Sequence, residues 1–185
     1  QGHVAYPEKA SNPLPVLFAI GEALLVPLDE GNAHFAPSNL EIVSVDVGNP
    51  AFNVIPAEAR LRFNVRANDE WTVETLKAHL AQRIRAVAPD AALAWHPGAS
   101  GAFRTADPEL LGRITAAVSA ATGVTPEATT GGGTSDARFI KDHCPVVEFG
   151  AVGSTMHQID ERTSVAELRA LCDAYGAIID AVLAS

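Results

Sequence analysis

An α/β fold in two units is what this sequence of 185 residues predicts, and three observations carry the expectation. Apolar residues recur at helical spacing in several long segments, and elsewhere they alternate with polar ones as in half-buried strands. Between Gly98 and Thr105 the composition turns to small, flexible residues, a plausible linker dividing 1–102 from 103–185. With 48% hydrophobic residues, the chain can bury one ordinary core or two small ones.

Composition also excludes function classes. A formal net charge of −9, with 13 scattered Lys and Arg residues, argues against nucleic acid, whose phosphates need clustered positive charge. No apolar run of about 18 residues and no basic-then-apolar leader is present, so neither a membrane span nor a signal peptide is readable. A cytoplasmic enzyme is the simplest expectation, and a start at Gln1 without an initiator methionine suggests a cut or trimmed product. Cys144 and Cys172 lie far apart with no CxxC spacing and are expected to be buried free thiols.

Asn12-Pro13 supplies a side-chain cap and a proline first turn, and Leu14, Leu17, Phe18, Leu24 and Leu25 give a helix over 13–26 its buried face. Leu40 to Val47 and Ala59 to Arg66 alternate as strands, expected to pair antiparallel across the turn-rich stretch Gly48 to Pro56. Thr72 caps a second helix, with Trp71 placed to staple onto Leu76 and an apolar stripe of Val73, Leu76, Leu80, Ile84 and Val87 that Pro89 ends. Ala91 to Trp95 reads as a short strand. The order helix, strand, strand, helix, strand is that of a two-layer ferredoxin-like βαββαβ unit lacking its first strand, so the chain is expected to begin partway through a domain.

In the second unit Asp107-Pro108 caps a helix bearing Leu111, Ile114 and Val118, closed by Gly123. A short strand near Thr125 to Thr129, a brief helix from about Asp136 to Lys141 and a buried strand Val146 to Phe149 are expected next. Ser164 and Glu167 form a capping box for a last helix striped by Val165, Leu168, Leu171, Tyr175, Ile178, Ile179 and Val182. Strands alternating with helices suggest an α/β layer with partly parallel pairing.

Gly131-Gly132-Gly133-Thr134-Ser135-Asp136 leaves backbone N–H groups unobstructed, and a helix starting at Ser135 or Asp136 would add its dipole, which favours an anion such as a carboxylate. The lysine of a GxxxxGKS/T nucleotide loop is absent, and a flexible turn is the competing interpretation of the glycines. His157 looks like a metal-binding histidine, against the alternative of a histidine making one ordinary hydrogen bond. A catalytic zinc takes about three protein ligands plus water, and no HExxH or other close ligand pair completes a set here. His34, His79, His96 and His143 are expected to be solvated, as is His3 on residue type alone. Arg60, Arg62 and Arg66 share one strand face at period two, and Asn53 sits in a turn where it can satisfy its own backbone.

Taken together, Gly2-His3-Val4-Ala5-Tyr6-Pro7, Asn53-Val54-Ile55-Pro56, Gly132 to Ile140, Val147 to Gly150 and Met156 to Glu161 resemble the M20 family of metal-dependent amidohydrolases and peptidases, in order and across essentially the whole chain. The Gly132 to Ile140 run combined with His157, Gln158 and Glu161 favours the desuccinylases of that family, and a neighbouring deacylase such as one acting on acetylornithine is the alternative. A free-standing, non-catalytic dimerising or ligand-binding module is the alternative of another class.

The resemblance implies that 1–102 is a lid or dimerisation domain and that 103–185 is the C-terminal part of an α/β zinc-hydrolase catalytic domain. The complete enzyme would hold two zinc ions, with cobalt a substitute, and this chain by itself would bind none tightly and be inactive. By the same resemblance, His157 is the one metal ligand and His3 is the catalytic residue that reaches the oxyanion from the partner subunit of a homodimer. Tyr6, Asn53, Arg66, Ser100, Gly133 and Thr134 are the implied contacts to a small dicarboxylate amino-acid substrate, for which a guanidinium fork is suited. Gly153 departs from the pattern, standing where the better-known desuccinylases of the family carry an asparagine.

Overall fold

Side-chain caps set where the helices begin. In the computed structural model, which describes residues 1–131, 133 and 135–183, α1 (Pro13–Leu24) starts where the Asn12 side chain accepts the Leu14 N–H at 3.1 Å. It stops at Leu25, two residues short of Pro27, and Arg83 binds the exposed carbonyls beyond it, those of Val26 at 2.5 Å and Pro27 at 2.8 Å. For α2 (Val73–Val87) the capping box joins Thr72 to Thr75, each side chain accepting the other's backbone N–H.

The chain forms two compact units, Gln1–Ala102 and Phe103–Ser185. In the first, β2 (Asn39–Asp46) and β4 (Arg60–Arg66) pair antiparallel from Asn39 opposite Arg66 to Asp46 opposite Arg60. Val43 is an extra residue between Ile42, opposite Phe63, and Ser44, opposite Arg62, so the pairing register slips by one there. A second small sheet joins β1 (Gly2–His3) to β3 (Val54–Ile55). Leu24 of α1, Leu40 of β2, and Leu80 and Ile84 of α2 form the buried centre, with Ile20, Ile42, Leu61, Phe63 and Leu76 packed around it. Both helices therefore lie on one side of the β2–β4 ladder, a two-layer arrangement held by aliphatic burial.

Asp29 ties the surrounding loops together. Its Oδ1 accepts from the backbone of Gly31 and of Ser38 and from the Asn68 amide, and its Oδ2 accepts the Trp71 indole N–H at 2.8 Å. Burial alone would raise this carboxyl, but hydrogen bonds from Ser38, Trp71 and Gly31 outweigh it and hold the group at about 2, below its ordinary 3.8. Trp71 is thus engaged with Asp29, and its ring faces His79 at 5.0 Å. His79 is not the solvated residue the sequence suggested: its Nε2 is buried without a hydrogen bond, and burial together with the Arg83 charge lowers its pKa.

The segment Ala91 to Trp95 is not a strand. Ala91 and Leu93 turn into the core at alternate positions and Trp95 meets Phe63 edge-on at 6.2 Å, but the backbone finds no ladder partner.

In the second unit α3 (Pro108–Thr122) is capped by Asp107, which accepts from Glu109 and Leu110, and closed by Gly123 in the left-handed region at φ 73°. It packs on α5 (Val165–Leu183), whose Ala174 is fully buried; the reciprocal Ser164–Glu167 box starts that helix as expected. The expected strands at 125–129 and 146–149 are absent among the described residues. Side chains hold the second of these segments instead. The Thr105 hydroxyl donates to the Val146 carbonyl and accepts its N–H, and the Tyr175 hydroxyl donates to the Phe149 carbonyl. Without an adjacent strand, a strand-like sequence has no ladder to join. Both cysteines are free, as expected, but exposed rather than buried. No helix among the described residues is long and apolar enough to cross a membrane.

Candidate functional site

The β1–β3 ladder brings three of the singled-out residues into one place. Pairing sets His3 opposite Val54, and the Val4 N–H donates to the Asn53 carbonyl at 3.1 Å, which brings the start of the chain beside the 49–53 turn. The Tyr6 N–H returns to the His3 carbonyl at 3.0 Å, and the two rings lie 5.7 Å apart. Lys9 Nζ stands 4.8 Å over the Tyr6 ring, a cation on a π face. His3, Tyr6 and Asn53 are all exposed.

Asn53 could have served its own turn, the alternative to a substrate contact, but Asn49 does that work: its amide donates to the Val54 carbonyl at 2.9 Å and its oxygen accepts the Ala51 N–H. Asn53 keeps its side-chain amide without a hydrogen bond among the described residues, available to a ligand. Arg66 ends β4 opposite Asn39, and Arg60, Arg62 and Arg66 do share one exposed face. Arg62 is paired with Asp46 at 3.2 Å. Ser100 is exposed in the segment after Pro97.

In the second unit, His157 occupies a self-tied loop. Its φ is 59°, a left-handed conformation uncommon for a residue with a Cβ, and Asp160 shares it at 61°. The Glu161 carboxylate accepts the His157 N–H at 3.2 Å. The Thr155 hydroxyl both donates to the Arg162 carbonyl and accepts its N–H, at 2.9 and 3.0 Å. Gly153, at φ 65°, turns so tightly that a Cβ would stand 2.9 Å from the Met156 methyl. A side chain at that position would therefore need Met156 to move. The imidazole itself is exposed and has no hydrogen bond among the described residues.

Gly133 is exposed, and Thr134, one of the implied substrate contacts, lies outside the described residues. The helix after the glycines, α4 (Ala137–Ile140), has four residues, too short to build the dipole expected of it. At its start the Ser135 hydroxyl donates to Glu148 and accepts the Ala137 N–H, which sets a carboxylate beside the loop expected to attract anions. Arg138 lies over the Phe139 ring at 4.6 Å, with its Nε buried and unpartnered. No hydrogen bond among the described residues joins Gly133 to His157.

No group of three His, Cys, Asp or Glu among the described residues could hold an ion, and the Glu161 carboxylate of the same loop is engaged with the His157 backbone. One free imidazole fits a ligand role, but the described residues do not assemble a metal centre.

Residues 1–92 match the peptidase dimerisation domain of the M20 family. Over 98% of its length the chain is 53% identical to a succinyl-diaminopimelate desuccinylase of Methylobacterium radiotolerans and 55% identical to one of Methylobacterium nodulans. Over 97% of its length it is 54% identical to the protein of that name from Xanthobacter autotrophicus. It spans about half the length of these curated relatives, 47%, 47% and 48% respectively.

Proposed function

We propose that this chain is part of a zinc-dependent amidohydrolase that converts N-succinyl-L,L-2,6-diaminopimelate to succinate and L,L-diaminopimelate in cytoplasmic lysine biosynthesis. The carrying observation is identity of 53–55% over nearly the whole chain with relatives that bear the desuccinylase name. Residues 1–102 act as the lid of a homodimer, with a ferredoxin-like two-layer fold, and 103–185 contribute the C-terminal part of the catalytic domain. The ions, two in the complete enzyme, supply Lewis acidity and an acidified water when bound. His157 offers them one imidazole, and the remaining ligands come from outside these residues, so the isolated chain is inactive.

The residues of this chain bind and stabilise. His3 donates to the oxyanion that forms when the succinyl carbonyl becomes tetrahedral, in the partner subunit's site. Asn53 and Arg66 reach the same site, with Tyr6 and Ser100 as weaker contacts, and Gly133 and Thr134 face a substrate carboxylate. Co-location of His3, Tyr6 and Asn53 at one end of the β1–β3 ladder supports a common task for these three.

A donor to the oxyanion contributes about 3 kcal/mol to the barrier. His3→Ala in the complete dimeric enzyme is therefore expected to lower kcat on succinyl-diaminopimelate about 100-fold while KM changes little. Unchanged turnover would refute the assignment.

A further inference from the structure

His3 closes a tight turn on itself. Its Nδ1 accepts the backbone N–H of Ala5 at 3.0 Å. A backbone amide can only donate, so Nδ1 is unprotonated wherever this bond is made, and the neutral ring carries its proton on Nε2. The turn is fixed on both sides. Val4 is bound to Asn53, Tyr6 to the His3 carbonyl, and Ala10 to the Pro7 carbonyl at 3.2 Å. Gly2 approaches Ala10 so closely that a Cβ on it would stand 2.5 Å from the Ala10 Cβ, which leaves no room for another residue type. Tyr6 walls one side of the imidazole, and Nε2 has no hydrogen bond among the described residues.

We propose that Ala5 is a positioning residue: its backbone N–H locks His3 in the Nε2–H tautomer, so that the exposed ring nitrogen is a fixed donor to a negatively charged oxygen and not a base. A histidine free to change tautomer would offer Nε2 as an acceptor part of the time, and the lock removes that state. The donor is thus prepared before any ligand arrives, which is how fixed dipoles stabilise developing charge without reorganising. Identification of the oxygen as that of a tetrahedral amide intermediate rests on the amidohydrolase assignment above; the tautomer does not.

An internal control exists in the same unit. His96 Nδ1 lies 2.6 Å from the Pro97 carbonyl oxygen, which can only accept, so this ring carries its proton on Nδ1. Long-range proton–nitrogen NMR of the histidine-labelled chain, at a pH where imidazoles are neutral, reads both rings at once. His3, identified by the signals lost in His3→Gln, is expected to show a pyridine-type Nδ1 and a pyrrole-type Nε2, with His96 the reverse. A protonated Nδ1 at His3, or shifts averaged between the two forms, would overturn the lock. Amide exchange at Ala5 is expected to accelerate about fivefold in His3→Ala, as one net hydrogen bond is lost; an unchanged rate overturns it equally. If the lock holds but turnover of the complete enzyme ignores His3→Ala, the amidohydrolase role of His3 fails on its own. If the tautomer is wrong but turnover falls, only the lock fails.

Discussion

The two units stabilise themselves by different means. Residues 1–102 bury large aliphatic side chains, Leu24, Leu40, Leu80 and Ile84, where two helices meet a strand pair, and Asp29 gathers four hydrogen bonds at the edge of that core. Residues 103–185 rely on one helix pair, and the buried hydrophobic residues described there are Val118, Ala137 and Ala174. Leu168, Tyr175 and Ile179, all in the apolar stripe of α5, remain exposed. The first unit exposes apolar side chains as well, among them Val16, Phe18 and Val45, so the contrast lies in the enclosed core, built from large aliphatic side chains in the first unit and from Val118 and two alanines in the second.

Large-to-small substitutions test the contrast most strongly. Leu80→Ala is expected to cost about 3 kcal/mol, because the cavity lies at a fully enclosed position, whereas Leu168→Ala should cost less than about 0.5 kcal/mol. Both tryptophans, Trp71 and Trp95, sit in the first unit, so urea unfolding followed by tryptophan fluorescence reports the first value, and amide exchange along α5 reports the second. Equal losses would end the contrast.

Acid offers the next largest effect. The Asp29 carboxyl is lower in the folded chain than in the unfolded one, so its stabilisation, about 2 kcal/mol, is fully present above pH 3.8 and is lost as pH falls from there toward about 2. Asp29→Asn should remove a similar amount at neutral pH, because the amide that replaces Oδ2 meets the Trp71 N–H donor to donor. Thermal unfolding of both proteins between pH 2 and 6 checks this, and a variant with the same acid sensitivity as the parent would assign it elsewhere.

A smaller loss than those at Leu80 and Asp29 belongs to the start of α5. Ser164→Ala should weaken the start of α5 by about 1 kcal/mol, seen as faster amide exchange in its first turn with no change in the tryptophan-reported transition.

Helix boundaries were legible because a cap is local chemistry: Asn12, Thr72, Asp107 and Ser164 each sit within three residues of the N–H groups they bind. Strands were legible only where their partner lay nearby in the chain, as for β2 and β4. At 91–95 and 146–149 the side-chain pattern was strand-like, but pairing depends on a distant neighbour, and Thr105 and Tyr175 supplied hydrogen bonds that no pattern announced. His3 and Asn53 were singled out separately, and only pairing across some fifty residues sets them side by side. The Ala5 N–H was invisible because every residue type except proline offers one. His79 misled for a related reason: a helical position is exposed or buried according to what packs above it, here Trp71.

The slip at Val43 bears on how this chain tolerates changes in length. Ile42 and Val43 are two apolar residues in succession within an otherwise alternating run, and the second is the unpaired one. Deleting Val43 would leave Ile42 opposite Phe63 and Ser44 opposite Arg62, regularising the ladder without moving any pair, and would remove an exposed side chain rather than a core one. A deletion elsewhere within β2 would turn part of the strand inside out. Natural indels and engineered truncations in this hairpin should therefore be absorbed at that single point.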